Sequence, residues 1–282
     1  MKTYLDVLKK IMDEGVDRPD RTGVGSRAVF GAPMRFNLAD GFPAMTTKKL
    51  AFEAVKAELI WFLSGSSDNK KLNEMGCHIW DGNANADYWK PKAKFDGDLG
   101  RVYGVQWRSW KSPYNDTPID QIANVIKKLK ENPHDRRMIV SAWNPAELDM
   151  MALPPCHLLF QFFCVNNKLS LMMYQRSCDT FLGVPFNIAS YSLLLSMVAQ
   201  VTGLEAHECI IILADAHIYL NHFEQVKEQL ARDPYPLPKL WLNPEIKDIN
   251  DFKMEDIKLV KMEDIKLVDY KYHPSIKAPM AV

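Results

Sequence analysis

Apolar residues return at every third or fourth position in five stretches of the chain, 3–13, 50–63, 119–131, 188–201 and 219–231, and that spacing predicts helices. Apolar runs of strand length, several of them alternating with polar residues, lie at 28–37, 137–143, 158–165, 169–175 and 208–214 and predict strands. Asn166-Asn167 separates two of these runs and reads as a hairpin turn. Helices and strands are mixed without regular βαβ alternation, and neither a GxGxxG nor a P-loop pattern is present. The predicted fold class is α+β, as one compact domain over residues 1–282.

Two segments interrupt the pattern. Residues 81–100 are polar, rich in Gly, Asn and Lys, and read as a long surface loop. The octad KMEDIKLV at 253–260 recurs identically at 261–268. Two copies fall short of a solenoid, which needs at least ~3 larger units, so the repeat reads as a local duplication with at most one copy in a core strand.

With 282 residues, 47% of them hydrophobic, the chain is long enough to bury a large core. Its 35 basic residues balance 35 acidic ones, which gives no electrostatic case for nucleic acid or an anionic membrane as the main partner. A phosphate site must then come from local clustering of arginines. The opening MKTYLDVLKKIMDEG has an amphipathic helix pattern without the apolar centre and cleavage site of a secretory signal, and no uninterrupted apolar run approaches the ~18 residues of a membrane span. The five cysteines (77, 156, 164, 178 and 209) are odd in number and form no CxxC pair. A disulfide scaffold and a thiolate metal site are not expected, and a reducing cytoplasm is the expected location.

Candidate chemistry gathers around Pro154-Pro155-Cys156-His157. Two prolines make a stiff approach to a thiol at the mouth of a strand. A packed, inert cysteine is one reading, and Cys164, in phase with Phe160 and Phe162, fits it well. Cys156 stands instead beside prolines and an ionisable histidine, and a nucleophile there requires a cation nearby to favour the thiolate. Arg136-Arg137 at the start of one strand and Arg176, beside Gln175, Ser177, Cys178 and Asp179 at the end of another, are the candidates. Their guanidinium forks suit phosphate oxygens, with exposed ion pairing as the alternative. Glu58 has Ala54, Val55, Trp61 and Phe62 as helical neighbours, which makes it either a proton carrier with a raised pKa or a buried structural carboxylate. Asn187 reads as a helix N-cap or as a base-edge reader. His217 and Tyr219 share a face if their strand continues, and they suit hydroxyl or phosphate binding better than metal, since no second histidine stands at ligand spacing.

In order along the chain, Asp20-Arg21-Thr22-Gly23, Thr46-Thr47-Lys48, the stretch 58–63, Ile79-Trp80-Asp81, Gly97-Asp98-Leu99-Gly100 and Val102-Tyr103-Gly104 form a set of motifs. Arg136-Arg137, Pro155-Cys156-His157, the stretches 175–179 and 181–191, His217-Ile218-Tyr219 and the terminal 276–282 complete it. The set resembles the thymidylate synthase family from end to end. The resemblance implies a large mixed sheet packed by helices and dimerising through the sheet. It also implies reductive methylation of dUMP by 5,10-methylenetetrahydrofolate, giving dTMP and dihydrofolate, without a metal. Cys156 would add to uracil C6, and C5 would then attack the methylene carbon. Arg176, Arg21 and Ser177 would bind the phosphate, joined by Arg136 and Arg137 from the neighbouring subunit of a homodimer. His157, Gln175 and Cys178 would line the nucleotide site. Asn187 would contact the uracil O4 and N3 edge, and His217 and Tyr219 the deoxyribose 3′-hydroxyl. Glu58 would organise water and protons, and Tyr103 would lie near the thiol. Asp179 would contact the pterin, with Trp80, Leu153, Gly183 and Phe186 around the folate and the tail through Ala281 closing over it.

The chain departs from that pattern in four places. Ala214 stands where a glycine is usual before Asp215, which predicts a tighter or shifted turn. Asn83-Ala84-Asn85 replaces a second tryptophan that often follows Trp80, with Trp89 as the candidate substitute. Ala51 stands where some members carry histidine, and the octad adds length before the tail. A nucleotide hydroxymethylase of the same family, in which water takes the place of hydride, is the rival reading. Cytosine-directed members carry Asp where Asn187 stands, so Asn187 favours uracil. A non-catalytic nucleotide- or RNA-binding homologue is a further alternative, opposed by the presence together of Cys156, Glu58, Arg176 and Asn187.

Overall fold

The structure, a computed structural model, describes residues 1–20, 23–252 and 264–279. Helix α1 (Lys2–Glu14) buries Tyr4, Leu8 and Ile11 on one face and leads into strands β1 (Val16–Arg18) and β2 (Ser26–Asn37). Helices α2 (Phe52–Leu63), α3 (Asn69–Glu74), α4 (Asp81–Ala84) and α5 (Tyr103–Arg108) follow. A hairpin of β3 (Trp110–Ser112) and β4 (Asn115–Ile119) precedes α6 (Gln121–Glu131) and β5 (Ile139–Ser141). The centre is β6 (His157–Val165), β7 (Lys168–Asp179), α7 (Gly183–Thr202) and β8 (Glu205–Tyr219). Helix α8 (Phe223–Leu230) and the pair β9 (Lys239–Leu242) and β10 (Ile265–Val268) come last.

Six strands form one mixed sheet in the order β1-β2-β8-β7-β6-β5. β7 and β8 are parallel, with α7 as the crossover between them, and the other neighbours are antiparallel. The β6–β7 hairpin turns at Asn166 (φ 50°) and Asn167 (φ 62°), both left-handed as a tight hairpin with the correct twist requires. Helix α7 is long and apolar enough by composition to cross a bilayer, yet it is the central core helix, packed on β7, β8 and α2. Pleating sends Phe160, Phe162, Cys164, Leu171 and Met173 inward, where they are buried. Their alternates Leu159, Phe163, Val165, Met172 and Tyr174 stay exposed on the other face, Phe163 at 61%.

Several expectations change. Helix α7 begins at Gly183, five residues before the predicted 188, because the Asp179 carboxylate accepts the Phe181 and Leu182 N–H groups at 3.1 and 3.0 Å and Pro185 falls in the first turn, where proline is tolerated. Asn187 is therefore in the second turn and is not the N-cap. Strand β8 runs on to Tyr219 through polar Asp215 and His217, held by pairing with both β2 and β7. Ala214 lies inside this strand, buried, so no turn precedes Asp215. Segment 81–100 is irregular but anchored: Trp89 is 2% exposed, and its indole N–H donates to the Asp98 carbonyl at 2.6 Å. One large buried ring outweighs the polar composition. The end of the second octad forms β10, with Ile265 buried, while the first octad lies outside the described residues.

Candidate active site

Cys156 stands one residue before β6, half-buried, on a segment held from several directions. Neither proline offers an N–H, so the carbonyls do the anchoring. Arg176 Nε donates to the Pro155 carbonyl at 2.7 Å, and its Nη2 donates to the Pro154 carbonyl at 2.9 Å. The Arg176 backbone N–H donates to the Cys156 carbonyl at 2.8 Å, and the Cys156 N–H donates to the Tyr103 hydroxyl at 2.8 Å. Arg176 thus locks the proline approach and also places its charge beside the thiol. Burial pushes the Cys156 pKa up, and the Arg176 charge and a hydrogen bond from Tyr103 oppose it.

An aromatic wall backs the thiol. His157 stacks on Tyr103 with ring centroids 4.1 Å apart, and its Nδ1 lies 2.6 Å from the Tyr191 hydroxyl. Burial lowers the His157 pKa to about 3, so the ring is neutral, and its place in the wall makes it packing behind Cys156. Trp80 packs edge-on against Tyr103, with centroids 5.9 Å apart, and its indole N–H donates to Glu58 Oε1 at 2.7 Å. Desolvation lifts the Glu58 pKa to about 7 despite that hydrogen bond, leaving a carboxyl that exchanges its proton near neutrality.

The parallel β7–β8 ladder brings a second group together, with Ser177 opposite Asp215 and Asp179 opposite His217. His217 Nδ1 is 3.3 Å from Asp215 Oδ1, and the His217 and Tyr219 rings meet edge-on at 5.3 Å. Asp215 also pairs with Arg18, and the His217 hydrogen bond and this partner hold its carboxyl below the usual range. Gln175 is buried, donates to the Ser177 carbonyl at 3.1 Å and has an Oε1 without a partner among the described residues. Cys178 is fully buried with its thiol pushed strongly upward, so its side chain belongs to the core and is not a wall of the cleft. Asn187 is half-buried, and its amide makes no hydrogen bond among the described residues. Gly183 opens α7, and Phe186 and Leu153 pack at the edge of the core.

Cys156, Arg176, Tyr103, Glu58 and Trp80 converge, and β7 continues from Arg176 into Ser177 and Asp179. Arg136 and Arg137 do not join them. Both are exposed on the loop entering edge strand β5, two strands from β7. Arg21 and Ala281 lie outside the described residues. Sequence reasoning gave no role to Tyr191, Arg18 or Lys48. Lys48 is buried, its Nζ donates to the Phe181 carbonyl at 2.6 Å and lies 3.5 Å from the Phe181 ring centre, and burial lowers its pKa to about 7. The Thr46-Thr47-Lys48 motif, entered from Ala44-Met45, was the available signal. The pairing of Arg18 with Asp215 spans the chain and leaves no local signal.

The described residues contain no cluster of three His, Cys, Asp or Glu side chains arranged for a metal. The family model described as thymidylate synthase matches residues 2–282, so motifs, geometry and whole-length match agree, and the chain belongs to the thymidylate synthase family.

Proposed function

We propose that this chain converts dUMP to dTMP, with 5,10-methylenetetrahydrofolate as co-substrate and dihydrofolate as the second product. The observation that carries the reading is Cys156, fixed at the end of a proline approach that Arg176 clamps through two carbonyls. A thiol so held has one job for which position matters to a fraction of an ångström, attack on a defined carbon. Its sulfur bonds to C6 of the uracil, and the C5–C6 π electrons move toward C5 and O4, making C5 the nucleophile. The Asn187 amide, without a hydrogen bond among the described residues, suits the O4 and N3 edge, where it accepts from N3–H and donates to O4. Glu58, near half-protonated at neutral pH, carries protons to and from the base through water. Arg176, Arg21 and Ser177 hold the phosphate, and His217 and Tyr219 the 3′-hydroxyl. The folate would supply the one-carbon unit and the hydride: the methylene carbon bonds to C5 as its bond to the folate nitrogen breaks, the C5 proton leaves, and hydride completes the methyl group as the Cys156 sulfur leaves C6 and the C5–C6 double bond re-forms. Trp80, Leu153, Asp179, Gly183 and Phe186 form its side of the cleft.

The working unit is a homodimer. The exposed face of Leu159, Phe163, Val165, Met172 and Tyr174 is an apolar sheet surface of the kind a second copy covers, and Arg136 and Arg137 stand at its edge, free to reach a neighbouring site. All five cysteines are free thiols, which suits the cytoplasm.

One observation favours hydroxymethylation as a second reading. Asn83 and Ala84 lie in the small helix Asp81–Ala84 after Trp80, with Asn85 as its C-cap, and Trp89 is turned into the core, so neither supplies a second indole beside Trp80. An analogue of dUMP with fluorine at C5 tests the thiol step, because without a C5 proton to lose the adduct accumulates. With the folate present, intact mass should rise by nucleotide plus folate, on Cys156, and not in Cys156→Ala. No adduct with bound analogue contradicts nucleophilic attack.

A further inference from the structure

His222 lies outside everything assigned above. It ends the 3-10 turn Leu220–His222 that follows β8, five residues after His217 and three after Tyr219. It is fully buried. Its Nε2 lies 2.7 Å from the carbonyl oxygen of Pro279, near the chain's end. A carbonyl only accepts, so Nε2 carries the proton in this contact, and Nδ1 is buried with no hydrogen-bond partner among the described residues. Two rings fix the imidazole: Phe181 at 5.6 Å and Tyr219 at 5.6 Å between centroids. Phe181 is the residue whose carbonyl and ring hold Lys48, and Tyr219 is the end of the proposed sugar-binding strand.

The tail reaches this point along a fixed course. The Tyr270 hydroxyl donates to the Met45 carbonyl at 2.5 Å and accepts from the Leu50 N–H at 3.0 Å. The His273 N–H donates to the Thr46 carbonyl at 2.9 Å, and Arg232 donates to the Pro274 carbonyl at 2.7 Å. Beyond Pro274, among the described residues, the His222–Pro279 hydrogen bond is the polar tie between tail and body. Ile276 and Ala278 add partly buried apolar contacts.

We infer that His222 is a positioning residue that seats the C-terminal tail, by its Nε2–H on the Pro279 carbonyl, directly behind the nucleoside end of the cleft. It touches neither substrate. It acts through the tail, and the inference rests on the proposed function and on the tail covering the folate, as the family resemblance implies. The seat is built from the same turn that ends the sugar-binding strand, so the tail's position is referred to the nucleotide site.

His222→Phe keeps a ring and removes the donor, and His222→Gln restores an N–H near the position of Nε2. In the Phe variant the KM for the folate should rise about tenfold or more with the KM for dUMP within about twofold, and the Gln variant should recover most of that loss. An unchanged folate KM in the Phe variant, or a Gln variant no better than Phe, overturns the assignment. Nitrogen-15 histidine NMR of the unaltered chain is independent of turnover and of any substituted protein. It should show a proton on His222 Nε2, with slow exchange that is lost on removal of residues 279–282. Protonation at Nδ1 alone, or slow exchange that survives the truncation, refutes the seat even if dUMP methylation stands.

Discussion

Glu58 shows how one residue's surroundings set both reactivity and stability. Its ordinary pKa is 4.5, and burial on α2 raises it to about 7. The folded chain therefore keeps a proton that the unfolded chain releases in between. This term favours folding below pH 4.5 and is lost as pH rises through 7, an effect of about 3 kcal/mol over the window. Glu58→Gln imitates the protonated form at every pH. At about pH 8 the variant should be more stable than the parent by up to about 3 kcal/mol, and at about pH 5 nearly equal to it, in thermal melts. Its turnover should fall by about 10²-fold or more, since the amide carries no exchangeable acid proton. Equal melts at both pH values would mean the carboxyl is better solvated than α2 suggests, and full turnover would remove it from proton transfer. The carboxylate among Ala54, Val55, Trp61 and Phe62 was legible from helical spacing. Its hydrogen bond from Trp80 was not, because that contact joins two segments with no shared pattern.

At the scale of elements, legibility followed how local the cause was. The inward Phe160, Phe162 and Cys164 and the Asn166-Asn167 turn depend on neighbours in sequence, and the hydrophobic alternation displayed them. The start of α7 depends on a carboxylate donated by the preceding strand, so periodicity placed it late and left Asn187 open as a cap. The last residues of β8, 215–219, depend on two flanking strands, so polar Asp215 and His217 hid its length. The clamp of Arg176 on Pro154 and Pro155 answers why two prolines precede the thiol, and it spans a gap no local pattern bridges. The octad gives an element-level prediction. Deleting 253–260 or 261–268 yields the same chain, and it shortens the connection between Leu242 and Ile265 by eight residues. The remaining copy supplies the Ile265, Lys266, Leu267 and Val268 side chains that pair with β9. Shorter closure should leave stability unchanged or raise it by less than about 1 kcal/mol. Turnover should stay within about twofold of the parent. A large loss of folate affinity in the deletion would show that the added length sets the reach of the tail.

At the scale of the whole molecule, the sheet is covered by helices on one face and presents apolar side chains on the other. Balanced charge leaves phosphate binding to arginines, and two of the four candidates lie on the far edge of the same chain. Both facts support the homodimer proposed above. Cys156→Ala and Arg137→Ala should each be poorly active alone. Mixed after reversible dissociation, they should regain about a quarter of the parent activity, because half the random dimers are hybrid and each hybrid has one intact site. No recovery on mixing, with hybrids present by native mass, would place Arg137 outside the neighbouring site. Phe163→Glu should shift the sedimentation of the chain toward monomer, and a parent that sediments as monomer would leave the open face unexplained.

The central claim is a product, and identifying the products tests it most directly. The protein would be mixed with dUMP and 5,10-methylenetetrahydrofolate, and the nucleotide and folate products resolved by mass spectrometry. The account predicts dTMP and dihydrofolate in equal amounts. Hydroxymethyl-dUMP with tetrahydrofolate, or bound dUMP returned unchanged, would contradict it.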